Sequence, residues 1–122
     1  MFRGKALNDG MWLHGDLIIY PGNAMIWDHY EDGRRNYAVD METVGQFTGL
    51  TDKNGKLIFE GDLITIPGSK RQGLPAPVKW SNFDARFEIS RRGFNSICLD
   101  GDEGIYDVIG NIHDNPELLE GD

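Results

Sequence analysis

The chain has one cysteine, Cys98, so no internal disulfide can form, and its stability must come from packing and hydrogen bonding. Cys98 stands between Ile97 and Leu99 without a local motif and reads as a small apolar core residue, not a nucleophile. No apolar run approaches the ~18 residues that a membrane-spanning helix needs. The opening Met1-Phe2-Arg3-Gly4-Lys5 lacks the long apolar stretch that a secretory signal carries behind its positive charge. The expectation is a cytoplasmic protein without membrane contact. Basic residues are missing from the end of the chain: residues 100–122 carry eight acidic groups and no lysine or arginine. Residues 1–50 carry four basic and seven acidic groups, and residues 51–99 carry eight and five. A net charge of −8 argues against nonspecific nucleic-acid binding, which needs a concentrated positive surface. The mildly basic middle third leaves room for a local one.

Catalytic signatures are missing too. No Gly-rich loop follows a strand and opens a helix, and there is no nucleophile elbow. His14, His29 and His113 each lie near a carboxylate (Asp16, Asp28, Asp114), but no pair has the one-turn helical spacing of a metal site. Asp100 and Asp102 occupy the first and third places of a calcium loop. Gly104, Ile105 and Asn111 then fail at the fifth, sixth and twelfth. Glu60 and Asp62 flank Gly61 and read as solvated turn residues at a strand bend, not as an acid–base pair. Neither metal nor cofactor is expected.

What the chain has in quantity is glycine, 16 of 122 residues, set between β-branched and aromatic runs. That pattern means short strands and tight turns. Asn8-Asp9-Gly10, Pro21-Gly22-Asn23, Glu31-Asp32-Gly33 and Asp52-Lys53-Asn54-Gly55 are turn signals. In residues 11–20, Met11, Leu13, Leu17 and Ile19 alternate with Trp12, His14, Asp16 and Tyr20, which share their face with Ile18. Residues 67–77 hold three Pro and two Gly and read as a surface loop. Residues 78–83 and 86–90 read as a hairpin with Val78, Trp80, Phe87 and Ile89 facing inward. Asn115 as N-cap and Pro116 at the first helical position predict a short terminal helix docked by Leu118 and Leu119.

Four blocks carry a resemblance: "FRGKALNDGMWLHGDLI", "TVGQFTGLTDKNGKLIFEGDLI", "VKW" and "DVIGNIHDNPELL". In this order they resemble the YopX family of phage and prophage proteins over Phe2 to Leu119. The resemblance implies a small, β-rich, cytoplasmic protein of a bacterial host cell, and it carries no activity and no catalytic residues. Its strings coincide with turns, bends and a helix cap, as a motif that specifies architecture would.

The expected fold is mainly β: N-terminal β-hairpins (about 1–42) packed with a C-terminal SH3-like small barrel (43–113) and a short C-terminal helix (114–120), as one YopX-like domain. Two functions from different classes follow. The first is a non-catalytic phage accessory protein acting through contacts with a phage or host protein, and self-associating as a homo-oligomer. Its surplus aromatics Trp12, Trp27, Tyr30 and Tyr37 would form the self-association surface. The second is a nucleic-acid-binding module using Lys70, Arg71, Lys79, Arg86, Arg91 and Arg92, interleaved with Trp80, Phe83, Phe87 and Phe94.

Overall fold

The structure, a computed structural model, describes residues 1–28, 35–65, 74–91, 96–99 and 105–119. Eleven strands and two single 3₁₀ turns make up the regular structure among these residues, so the chain is mainly β. It divides into two compact units, Met1–Phe47 and Thr48–Asp122.

In the first unit, β1 (Phe2–Lys5), β2 (Trp12–Tyr20), β3 (Asn23–Asp28) and β4 (Arg35–Val39) form an antiparallel meander, in the order β4-β3-β2-β1. Gly10 and Gly22 close the first two turns with φ of 74° and 80°, where a side chain would be strained. The alternation expected for residues 11–20 holds. The β1–β2 and β2–β3 registers put Leu13 and Leu17 on the face that buries Ala24, Ile26 and Val39 together with Phe2 and Val44. Gly4 shares that face, and a Cβ there would lie 3.2 Å from the Val39 side chain.

The outer edge of β1 is shared by two partners. Near its start it pairs with β5 (Gly45–Thr51) through Phe2↔Gln46 and Arg3↔Gly45. Past its end, Ala6 bridges Val39, Leu7 N–H donates to Ala38 O at 3.0 Å, and Asp40 N–H donates to Lys5 O at 2.9 Å. A 3₁₀ turn, Met41–Thr43, carries the chain from one partner to the other. Asp40 caps it by accepting from Glu42 N–H, and buried Thr43 donates to Asp40 O and accepts from Lys5 N–H through its hydroxyl.

In the second unit the end of β5 turns back into β6 (Leu57–Phe59). A sheet ordered β10-β9-β8-β7-β11 follows, from β7 (Asp62–Thr65), β8 (Ala76–Ser81), β9 (Arg86–Ile89), β10 (Ile97–Cys98) and β11 (Asp107–Asn111). Its core is Ile58, Ile64, Ala76, Val78, Ile89, Leu99, Tyr106 and Val108, with Leu50 and Phe87 packed against it. Each fully buried aliphatic there stabilises by roughly 1.5–3 kcal/mol.

Two expectations need correction. The five strands form an open sheet: among the described residues no pairing joins β10 to β11, so the SH3-like closure expected of 43–113 is not what these strands make. The terminal helix is a single 3₁₀ turn, Pro116–Leu119, with Leu118 and Leu119 only half-buried. Asn115 does not cap it forward. Its Oδ1 reaches back to accept from Asn111 N–H at 3.2 Å, passing over Gly110, where a Cβ would come within 2.6 Å of that oxygen.

Candidate interaction surface

The β8–β9 hairpin is aligned by Val78↔Ile89, Lys79↔Glu88, Trp80↔Phe87 and Ser81↔Arg86. Directly paired residues share a face, so Val78, Ile89, Trp80 and Phe87 all lie on the core side. Depth then separates them. Val78 and Ile89 are 1% exposed; in the next pair of that face toward the tip, Phe87 is half-buried and Trp80 is 44% exposed. Trp80 was expected in the core, but the strand carries it past the core's rim. It meets Phe87 edge-on, ring centroids 5.0 Å apart, and its indole N–H donates to Asn82 Oδ1 at 2.9 Å. Phe83, in the loop, is 96% exposed. That loop is built, not loose: Asp84 N–H donates to Ser81 Oγ at 3.1 Å, and Ala85 holds a φ of 52° that non-glycine residues seldom adopt. The hairpin therefore offers one fully exposed aromatic ring in its loop and a half-exposed one on the adjoining strand.

The basic residues expected to surround these rings are mostly committed elsewhere. Arg86 lies between Asp84 (3.8 Å) and Glu88 (3.6 Å). Arg91, expected on an outer face, is 6% exposed, and its Nη1 donates to the Pro75 carbonyl, so it belongs to the buried rim of the sheet. Lys79 is exposed, opposite Glu88. Lys70, Arg71, Arg92 and Phe94 lie outside the described residues.

Of the residues expected to form a self-association surface, strand register brings Trp12 and Trp27 to one face and turns Tyr37 to the other. Trp27 pairs with Asp16 and Asn36, and Trp12 pairs with Lys5, which places both on the face of β2 opposite Leu13 and Leu17. Tyr37 pairs with Ile26 and so faces the other way, toward the core. Trp12 is covered further by cations, with the Arg3 guanidinium 4.6 Å and the Lys5 ammonium 5.5 Å from its ring centroid. Tyr30 lies outside the described residues.

The acids tell a different story from the expected one. Gly61 does mark the bend, with φ of 92°, at the corner where the chain leaves β6 and enters β7. Its N–H donates to Val78 O and its carbonyl accepts from Ile112 N–H, both at 2.9 Å. Asp62, however, is 1% exposed, and its Oδ2 accepts from Phe59 N–H at 2.8 Å. It is a buried tie across the corner, not a solvated turn residue. Asp52 departs from expectation in the same way, being 4% exposed. Its Oδ1 accepts from Asn54 N–H (2.8 Å) and Lys56 N–H (2.9 Å), and its Oδ2 accepts from Val108 N–H in β11 (3.1 Å). Burial alone would push this carboxyl up. The N–H groups of Val108, Lys56 and Asn54, helped by the Lys56 charge, outweigh burial and hold its pKa below the ordinary value. Asn111, also buried, accepts from His113 and Asp114 N–H and donates to Asp114 Oδ2. His14 lies on β2, His113 follows β11, and His29 is outside the described residues. Among the described residues no group of three or more His, Cys, Asp or Glu could hold a metal ion. No helix among them is long and apolar enough to cross a membrane.

An all-β chain with glycine corners, buried acids tied to backbone N–H groups and an aromatic-tipped hairpin is the class that these features define. The chain belongs to the YopX family, whose model, described as YopX protein, matches residues 1–120. Among solved structures it is similar to the crystal structure of protein EF1440 from Enterococcus faecalis, at 24% identity and a TM-score of 0.62 over 98% of this chain and 96% of that one. At that identity the likeness is one of fold. No curated protein matches.

Proposed function

We propose that the protein works by binding and not by catalysis, as a phage accessory protein that seats the Phe83–Trp80 tip in an apolar pocket of another protein. The observation that supports this most is Phe83, 96% exposed on a hairpin whose own hydrogen bonds hold the loop in shape. Leaving an aromatic side chain in water forgoes roughly 1.5–3 kcal/mol of burial, and a partner's pocket would recover it. The tip's charges favour a protein partner. Arg86 is already neutralised by Asp84 and Glu88, so little positive field remains for phosphates.

The test is recovery of partners from induced host cells with the wild-type chain and with Phe83→Ser. A protein captured by the first and lost with the second supports the reading; an unchanged set counts against it. Light scattering of both chains determines whether that partner is a second copy. Titration with single-stranded DNA or RNA at low salt and at about 200 mM separates out the nucleic-acid alternative, since salt-sensitive binding lost with Trp80→Ala would favour stacking on the tip.

A further inference from the structure

Asn54-Gly55 is the one Asn-Gly step in the chain, and both residues are exposed in the turn between β5 and β6. Such a step is chemically labile, because glycine has no side chain to keep its backbone nitrogen from the neighbouring amide carbon. Gly55 N attacks Asn54 Cγ, a C–N bond forms, and the bond from Cγ to the side-chain nitrogen breaks. The proton released by Gly55 leaves with that nitrogen as ammonia. Water then opens the cyclic imide at one carbonyl or the other. One opening yields an aspartate at position 54; the other yields its isomer, with the main chain rerouted through the side chain.

We propose that Asn54 is a site of spontaneous deamidation whose rate is set by Asp52. The attacking nitrogen is engaged, since Gly55 N–H donates to Asp52 O at 3.0 Å. Asp52 Oδ1 holds the N–H groups on either side of that nitrogen, those of Asn54 and Lys56, while Oδ2 is anchored on Val108 N–H in β11. Gly55 N cannot swing toward Cγ until this set opens, so the intact turn holds the reaction back. Once it occurs, the product weakens the same set. A new carboxylate appears beside the Asp52 carboxylate and the Lys53–Asp107 ion pair, and the isomer lengthens the main chain between the two bonded peptide groups. The age of a molecule is thereby written into the joint between this turn and β11.

The experiment incubates the full chain in warm, mildly alkaline buffer and follows Asn54 by mass spectrometry of a digest, with methyl acceptance by an isoaspartate-specific methyltransferase as second readout. A synthetic peptide of residues 48–60 supplies the open reference. Asn54 in the chain should convert on the order of tenfold or more slowly than in the peptide, the factor that a hydrogen-bonded closure of this kind produces. Asp52→Ala should raise the rate toward the peptide's. Asp52→Asn, which keeps a carbonyl acceptor and so stays folded if Asp52→Ala does not, should give an intermediate rate. Gly4→Val disturbs the packing against Val39 in the other unit, and should leave the rate unchanged. Equal rates in chain and peptide, or rates in both Asp52 variants equal to wild type, overturn the proposal.

Discussion

Replacing Asp52 with alanine removes the acceptor for three backbone N–H groups at once. Asn54 and Lys56 are exposed, so water can take over their N–H groups at a cost of about 0.5–1.5 kcal/mol between them. Val108 is 9% exposed and the hydrogen bond from its N–H is buried, so losing a charged acceptor there costs roughly 1.5–3 kcal/mol. The sum is roughly 2–4.5 kcal/mol, a large share of the roughly 5–15 kcal/mol by which domains are stable. Urea titration followed by Trp fluorescence measures it, with the midpoint falling and the slope unchanged. The pH dependence adds a second check. Asp52 has its pKa lowered by folding, so its contribution is fully present above the unfolded carboxylate value of about 4 and is lost as pH falls through the folded value. The gap between wild type and Asp52→Ala should therefore be widest near neutral pH and should narrow below about pH 4. A gap under about 0.5 kcal/mol at neutral pH, or one that widens on acidification, would refute the role assigned to this carboxylate.

Three further outcomes are expected. Gly15→Ala would set a Cβ 1.9 Å from Trp27 O, a backbone atom that cannot step aside, so the β2–β3 pairing must break locally; circular dichroism should show lost strand signal and urea titration a stability lowered by about 3 kcal/mol or more. Ala85→Gly should raise stability by about 0.5–1 kcal/mol in the same titration, because glycine relieves the positive φ of 52° at slight entropic cost. Phe83→Ser should change the unfolding free energy by less than about 0.5 kcal/mol, since the ring packs on little of its own chain; a larger loss would mean that the ring is structural and not a docking group.

Most strands were legible in the sequence because their signals are local. Gly10, Gly22 and Gly55 mark turns by what their backbones must do, and the alternation of Leu13 and Leu17 with Trp12 and His14 fixed the two faces of β2. Most of the misses turn on what spacing along the chain does not encode. Asp52 looks like the polar neighbour of a turn glycine, and near it in sequence nothing hints at Val108, 56 residues on; Asp62 looks the same, and its bond to Phe59 N–H is local, but its burial is set by the fold around it. The parity of Trp80 was right, but parity sets a face and not a depth, and the core stops one pair short of that residue. Trp12 and Tyr37 were grouped by composition, whereas strand register turns them to opposite sides of the sheet. Arg91 looked like a surface charge until its guanidinium was seen to meet the Pro75 carbonyl, a contact that sequence spacing does not encode.

The division of one side of β1 between two partners bears on how the first unit assembles. The β2–β3 and β3–β4 ladders join neighbours across tight or nearby connections, whereas the seam along β1 waits for residues some 30 to 45 positions away and so must overcome the larger loop-closure entropy. That seam should zip last and fray first. The amides of Leu7, Asp40 and Phe47, which stitch it shut, should then exchange with solvent deuterium as a group while those inside the β2–β3 ladder still hold their protons.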